Sequence, residues 1–387
     1  MQTKTDFIQQ LKTSFKGLNQ EPLDSLTSEN LISPFSIGLP KAILLQAQDS
    51  IAAFFRLREN TSYLKSYQSD IEALGLKDPG NKSICMSYDF HVNEQGHLKL
   101  IEVNTNASFL ALGYEMYKSK KTPLPVADYS YEELRQNIET ELQLNGRTGP
   151  LKNIAIIDET PEQQRLYIEF LVYRELFAQW GWNPQILDYK SINPAQFDFI
   201  YNRYTDFLLT NPESAVLRQA FLERHSCFSP NPYEYLLLAD KQRMIDWTVP
   251  GQLERWGVTA DDQATIQSVV PQSVSLELAN KDEIWAQRKG YFFKPKRAFG
   301  SKQSYKGASI SRKAFDEIAG QDFIAQEYVP AAEKTFTAPD GSALNLKYDL
   351  RCYAYQERLQ LIVARLYQGQ VTNLRTPLGG FACVEFD

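Results

Sequence analysis

Histidine is scarce in this chain, with three in 387 residues, and His91, His97 and His225 stand at no ligand or triad spacing. The four cysteines, Cys85, Cys227, Cys352 and Cys383, are scattered and form no CxxC pair. A metal centre built on cysteine and histidine, or a Cys–His nucleophile, therefore lacks its raw material. No Gly-x-Ser-x-Gly elbow occurs, which removes the serine-hydrolase reading. Positive charge is in short supply too: the net charge is −6. Such a chain has no basic field for nucleic acid or an anionic membrane, so any cation that matters acts locally. No apolar run reaches membrane-spanning length, and Met1–Asp6 has no signal-peptide core, so a cytoplasmic chain is expected. Three of the cysteines sit in strand-like apolar runs and read as buried thiols of a reducing compartment. Internal repeats and low-complexity segments are absent.

What is present has an α/β pattern. Residues 1–80 read as mainly helical, with apolar positions at helical spacing from Gln48 to Ser66 and breaks at Pro34 and Pro40. Residues 81–149 open with two strand-like runs, Ile84–Val92 and Leu98–Val103, around the hairpin signal Asn93-Glu94-Gln95-Gly96. A helix is expected from Ser130 to about Leu144. Residues 150–234 look like a small α/β unit, with strands at Ile154–Ile157 and Phe199–Tyr201 and a helix from Pro161 to Trp180. Residues 235–387 begin with helices and continue as strands at 291–294, 323–328, 348–355 and 359–366.

Two segments carry chemistry on their own terms. Glu102 and Asn104 lie two apart on a strand and so share a face, and Asp89 on the preceding strand can reach that face. Carboxylate, carboxylate and amide oxygen are the hard ligands that magnesium takes. Alone, Glu-x-Asn is short enough to be a solvated strand end. The polar turn that follows, Thr105-Asn106-Ala107-Ser108, lies at a strand's carboxyl end, where α/β enzymes place chemistry. Lys294 ends an apolar strand and can aim its ammonium at a phosphate. The basic, glycine-bearing loop from Arg297 to Gly307 can fold over phosphates with backbone N–H groups.

These parts resemble a circularly permuted ATP-grasp ligase. Glu102-Val103-Asn104 through Ser108 is similar to the Glu-x-Asn-x-x-x-Ser signature of eukaryotic glutathione synthetase. Asp349-Leu350-Arg351, Val363-Ala364-Arg365, Asn373-Leu374 and Gly379-Gly380 follow the order found in ribosomal-protein glutamate ligases. In that family this run leads directly into the metal strands; here those strands stand near the other end of the chain, as a permutation would leave them. The glutathionylspermidine synthases belong to the same permuted group.

The resemblance implies an α/β (α+β) fold, a circularly permuted ATP-grasp with an additional small α/β substrate domain. It implies ATP and a pair of magnesium ions, held by Asp89, Glu102 and Asn104. Lys241 and Lys294 would be phosphate lysines, Gln326 and Glu327 would lie on the adenine hinge, Glu333 at the ribose, and Asn373 beside the nucleotide. Arg351 and Arg365 would stand at the transferring phosphoryl group, and Arg203, Arg375 and Ser108 on the substrate side. Ala298 occupies the place of a metal-binding glutamate, so the loop is not expected to add a metal ligand.

The implied activity is ADP-forming amide synthesis through an acyl phosphate, between a small-molecule or peptide carboxylate and an amine. Two other readings use the same residues: a nucleotide-binding module without turnover, and a kinase acting on a non-carboxylate acceptor.

Overall fold

A computed structural model describes residues 4–297 and 304–387. The N-terminal segment is mainly helical, as expected, but carries the first strand of the fold. β1 (Ile32–Leu39) buries Ile32, Phe35, Ile37 and Leu39 and pairs in parallel with the last strand of the chain. Proline is tolerated there because β1 is the sheet's edge, where a missing donor breaks no central ladder. The Lys41–Glu59 helix follows, and its Phe54 ring stacks on Tyr88 at 5.6 Å, covering one face of the sheet.

β2 (Met86–Val92) and β3 (Leu98–Asn104) form the expected hairpin, whose turn Asn93 organises by accepting the Gln95 and His97 N–H groups at 3.1 and 2.8 Å. β3 reads Leu-Lys-Leu-Ile-Glu-Val-Asn, which strict alternation cannot satisfy. Leu98 and Leu100 belong in the core, yet period two would put Glu102 and Asn104 beside them. A bulge resolves the conflict. Asp89 pairs with Glu102 and Phe90 with Leu100, leaving Ile101 as the extra residue. Leu98, Leu100 and Val103 are all buried, while Glu102 and Asn104 emerge at the opposite face.

β4 (Asn153–Asp158), β5 (Asn183–Asp188), β6 (Phe199–Asn202) and β7 (Cys227–Ser229) make a parallel sheet in the order β5-β4-β6-β7. The chain leaves β4 to one side and returns on the other, so the ends of β4 and β6 flank a topological switch point. The expected helix from Pro161 is shorter: Pro161–Gln163 is a 3-10 turn and the α-helix runs Tyr167–Gln179.

β8 (Ser273–Ser275), β9 (Tyr291–Pro295), β10 (Tyr305–Lys306) and β11 (Phe323–Glu327) form an antiparallel sheet in the order β10-β9-β11-β8. It rests on its own small core, which includes Leu276, Phe293, Phe315 and Phe323. β12 (Ala332–Thr337), β13 (Ala343–Tyr355), β14 (Arg358–Tyr367) and β15 (Gly380–Phe386) then return to the first sheet. That sheet runs β1-β15-β14-β13-β2-β3, with β12 joined to β13 as a seventh strand. The early hairpin and the last strand thus lie in one sheet. The Leu110–Lys120 helix packs closely over its β14 end at Gly113, where a Cβ would come 2.9 Å from the end of the Leu361 side chain.

Candidate functional site

A cleft of about 430 Å³ opens between the seven-stranded and the four-stranded sheets, within the usual range for small-ligand sites. Its first wall is the face of β2, β3, β13 and β14 that carries charge. Asp89 is fully buried there and does not line the cleft. Arg351 donates to both its oxygens, from Nε at 2.9 Å and Nη2 at 2.7 Å, and Arg365 Nη2 adds a bond at 2.9 Å. Asn104 Nδ2 and Ser87 Oγ complete the set at 3.3 and 3.2 Å. Burial pushes the Asp89 carboxyl up, but Arg351 and Arg365 more than offset this and hold it at about 2. Its lone pairs are already used, which corrects the expectation that Asp89 is an open magnesium ligand; it anchors two guanidiniums instead. Asp349 holds Arg365 from the other side, Nε to Oδ1 at 2.6 Å, and accepts the Thr372 hydroxyl.

Glu102 and Asn104 both line the cleft, half-buried. The Glu102 carboxylate and Asn104 Oδ1 have no hydrogen-bond partner among the described residues, so two oxygen ligands face the cavity together. No group of three His, Cys, Asp or Glu side chains able to hold a metal occurs among the described residues.

The second wall is β9 and β11. Lys294 is 7 % exposed and donates to the Ile101 carbonyl at 3.0 Å and to Gln326 Oε1 at 2.9 Å. The bulge therefore has a use: the carbonyl of its extra residue reaches across the cleft to a lysine. Burial lowers the Lys294 pKa to about 8, with Lys241 adding to the fall and Glu102 opposing it. Gln326 Nε2 is buried and has no partner among the described residues. The chain arrives at Lys241, another lining residue, through a buried π-helical turn, Tyr235–Ala239. Glu327 lines the cleft at the end of β11, and Val329 follows it, with no backbone partner for its N–H among the described residues.

The remaining candidates divide. Ser108 lines the cleft, and its carbonyl accepts the Tyr353 hydroxyl at 2.6 Å. Asn373 also lines it, but spends its side chain on a turn, donating to Gln368 O at 2.8 Å and accepting the Arg375 N–H at 2.9 Å. Arg375 itself is exposed and outside the cleft. Glu333 is likewise exposed on β12, 4.0 Å from Lys347, and does not reach the cavity. Arg203 turns away from the cleft. It donates to the Asn106 carbonyl and packs over the Phe170 and Tyr201 rings, with Asp158 and Glu169 near. Its Nη1 supports the turn after β3, and its Nε is buried without a partner among the described residues. Glu169 serves the same turn, accepting the Phe109 and Ala111 N–H groups at 2.8 and 3.2 Å. Of the loop expected to cover phosphates, residues 298–303, including Ala298, lie outside the described residues; Ser304 lines the cleft and Arg297 pairs with Asp240 at 3.1 Å.

Sequence reasoning missed Arg165, Lys347 and His91, which all line the cleft. Arg165 stands in the segment after β4, and the rule that ligands gather at the carboxyl ends of parallel strands was the signal available for it. His91 falls two residues from Asp89, so strand parity alone puts it on the charged face.

Most of the chain superposes on a solved glutathione synthetase-like effector from Globodera pallida, covering 92 % of this chain and 90 % of that one at TM-score 0.56 and 12 % identity. The fold is accordingly α/β of the ATP-grasp kind. Weaker likenesses extend to a structure provisionally described as a gamma-glutamylcysteine synthetase from Methylobacillus flagellatus (9 % identity, 86 % and 85 % covered, TM-score 0.43). A D-cycloserine synthetase gives 17 % identity, 51 % and 67 % covered, and TM-score 0.34. No protein-family profile and no curated protein sequence matches the chain.

Proposed function

We propose that this chain is a magnesium- and ATP-dependent carboxylate–amine ligase of permuted ATP-grasp organisation, with residues 150–234 as its substrate unit. The observation that carries the reading is the pairing across the cleft. A buried lysine, Lys294, and a buried amide whose Nε2 has no partner among the described residues, Gln326, face two oxygen ligands, Glu102 and Asn104. A polyphosphate would supply the anion that the Lys294 ammonium lacks, and a nucleobase the acceptor that Gln326 Nε2 lacks.

The donor set suits one magnesium ion, which takes one or two protein oxygens and completes its octahedron with phosphate and water. Beyond Glu102 the lining holds Asp349, committed to Arg365 and Thr372, and Glu327 at the end of β11. Bound at Glu102 and Asn104, magnesium would neutralise phosphate charge and orient the γ-phosphoryl group. The substrate carboxylate would attack the γ-phosphorus as the bond to the ADP oxygen breaks. Arg351 and Arg365, fixed beforehand by Asp89 and Asp349, would meet the charge that develops without reorganising. The amine would then attack the acyl carbon, the bond to phosphate oxygen would break, and amide, phosphate and a proton would leave. Arg165, which has no ion-pair partner among the described residues, replaces Arg203 as the cation offered to an acidic amino acid or short peptide.

The test offers a pool of amino acids, peptides and polyamines with ATP, and hydroxylamine as a trap. ADP, phosphate and a hydroxamate are expected, and Arg165→Ala should raise KM for the acid at least tenfold with little change for ATP. AMP and pyrophosphate as products would overturn the mechanism. Binding of Mg·ATP without any turnover would favour a non-catalytic nucleotide module, a reading that the small set of open metal ligands supports.

A further inference from the structure

His91 has no role in the chemistry above, yet it occupies a particular place. It lies on β2, two residues from Asp89 and on the same charged face, and it lines the cleft. Its Nδ1 is 2.8 Å from the Val329 carbonyl, in the segment leaving β11. A carbonyl only accepts, so Nδ1 carries the proton, and in the neutral ring Nε2 keeps its lone pair. Nε2 makes no hydrogen bond among the described residues. The imidazole therefore straps one wall of the cleft to the other and leaves an acceptor in the cavity.

The acceptor's position narrows its partner. On one side of His91 is Val329, whose carbonyl the imidazole has taken and whose N–H has no backbone partner among the described residues. That N–H suits the acceptor edge of a base. On the other side are Asp89 and the two guanidiniums it holds, and Lys294 on the facing strand, where a polyphosphate would be met. Between a base and its phosphates lies the sugar, whose only donors are hydroxyls. Glu333, the acid that the family resemblance assigned to the ribose, is outside the cleft.

We infer that His91 is a sugar-reading residue: its Nε2 accepts a hydrogen bond from a ribose hydroxyl and makes the site discriminate ribonucleotides from deoxyribonucleotides. The inference rests on the proposal that the cleft binds ATP, and the test separates the two. Calorimetric titrations of the full chain with Mg²⁺ use ATP, 2′-deoxy-ATP and 3′-deoxy-ATP, for wild type and for His91→Ala. The wild type should bind one deoxy analogue about tenfold more weakly than ATP, the worth of one hydrogen bond. In His91→Ala that ratio should fall to near one. His91→Asn, whose amide can donate and accept, should restore part of it.

A histidine that only straps the walls together would weaken all three nucleotides equally and leave the ratio unchanged, which overturns the inference. Equal affinity of the wild type for all three overturns it too, while leaving ATP binding intact. A wild type that binds none of them overturns the nucleotide reading itself. Thermal unfolding of each variant shows whether a lost ratio reflects lost folding.

Discussion

The two walls of the cleft solve the burial of charge in opposite ways. On the seven-stranded sheet the two buried guanidiniums are already matched: Asp89 and Asp349 fix Arg351 and Arg365 through bonds of 2.6 to 2.9 Å. On the sheet of β8 to β11 the Lys294 ammonium is buried against neutral acceptors, a carbonyl and an amide, and Gln326 keeps an N–H without a partner among the described residues. The first wall has its guanidiniums fixed beforehand and gains its rigidity from that. The second is incomplete and gains most when an anion arrives. A site of this design divides its labour, with preorganised geometry on one side and unspent binding energy on the other.

The comparison breaks most violently at Asp89. Asp89→Ala would leave two buried guanidiniums facing each other without their shared anion, and unfolding should become easier by about 3–5 kcal/mol. Denaturant titration checks this; a loss below about 1 kcal/mol would mean that the matched wall is not a structural unit. Lys294→Met should do the reverse. Stability should hardly fall, because a desolvated charge is removed, while Mg·ATP affinity drops by about 1.5–3 kcal/mol. The exposed control Lys313→Met should change neither quantity.

The same lysine gives a pH signature. Its pKa of about 8 in the free chain means that it is charged below that value and must take up a proton above it to meet phosphate. Affinity should be flat below pH 8 and fall as pH rises through it, by up to tenfold per unit, and Lys294→Met should abolish the fall. The smallest effects are expected where the cleft ends. Glu333→Ala and Arg375→Ala should each stay within about 0.5 kcal/mol of wild type in stability and in ATP affinity.

The parts of this fold that were legible in the sequence are apolar runs bounded by turn residues. The β2–β3 hairpin, β4, β6, β9, β11, β14 and the second half of β13 are such cases, while β5, β7, β8, β10 and β12 were not read. β1 was hidden because Pro34 and Pro40 signal breaks, and only the sheet's layout shows that an edge strand can carry them. For the site, sequence reasoning gathered Glu102, Asn104, Ser108, Lys241, Lys294, Gln326, Glu327, Arg351, Arg365 and Asn373 on one cavity. It could not tell which way a side chain at a strand end turns. Arg203 and Glu333 were placed by their neighbours in sequence, but packing against Phe170 and Tyr201 draws one inward and the outer strand β12 carries the other away. Asp89 was correctly aimed and misread in role, because a carboxylate's partners lie on strands more than 250 residues distant.

β3 behaves like a message with two reading frames. Its first half spells a core-facing frame and its second a cleft-facing one, and Ile101 is the inserted letter that shifts between them. Side chains along the strand can drift during divergence, provided each stays polar or apolar as its frame demands. The strand's length cannot. Removing Ile101 would leave a strictly alternating strand with Glu102 and Asn104 still facing the cavity, but it would delete the bulge carbonyl that Lys294 holds. Relatives of this chain should therefore preserve the spacing across β3 more faithfully than the identity of the residues that fill it.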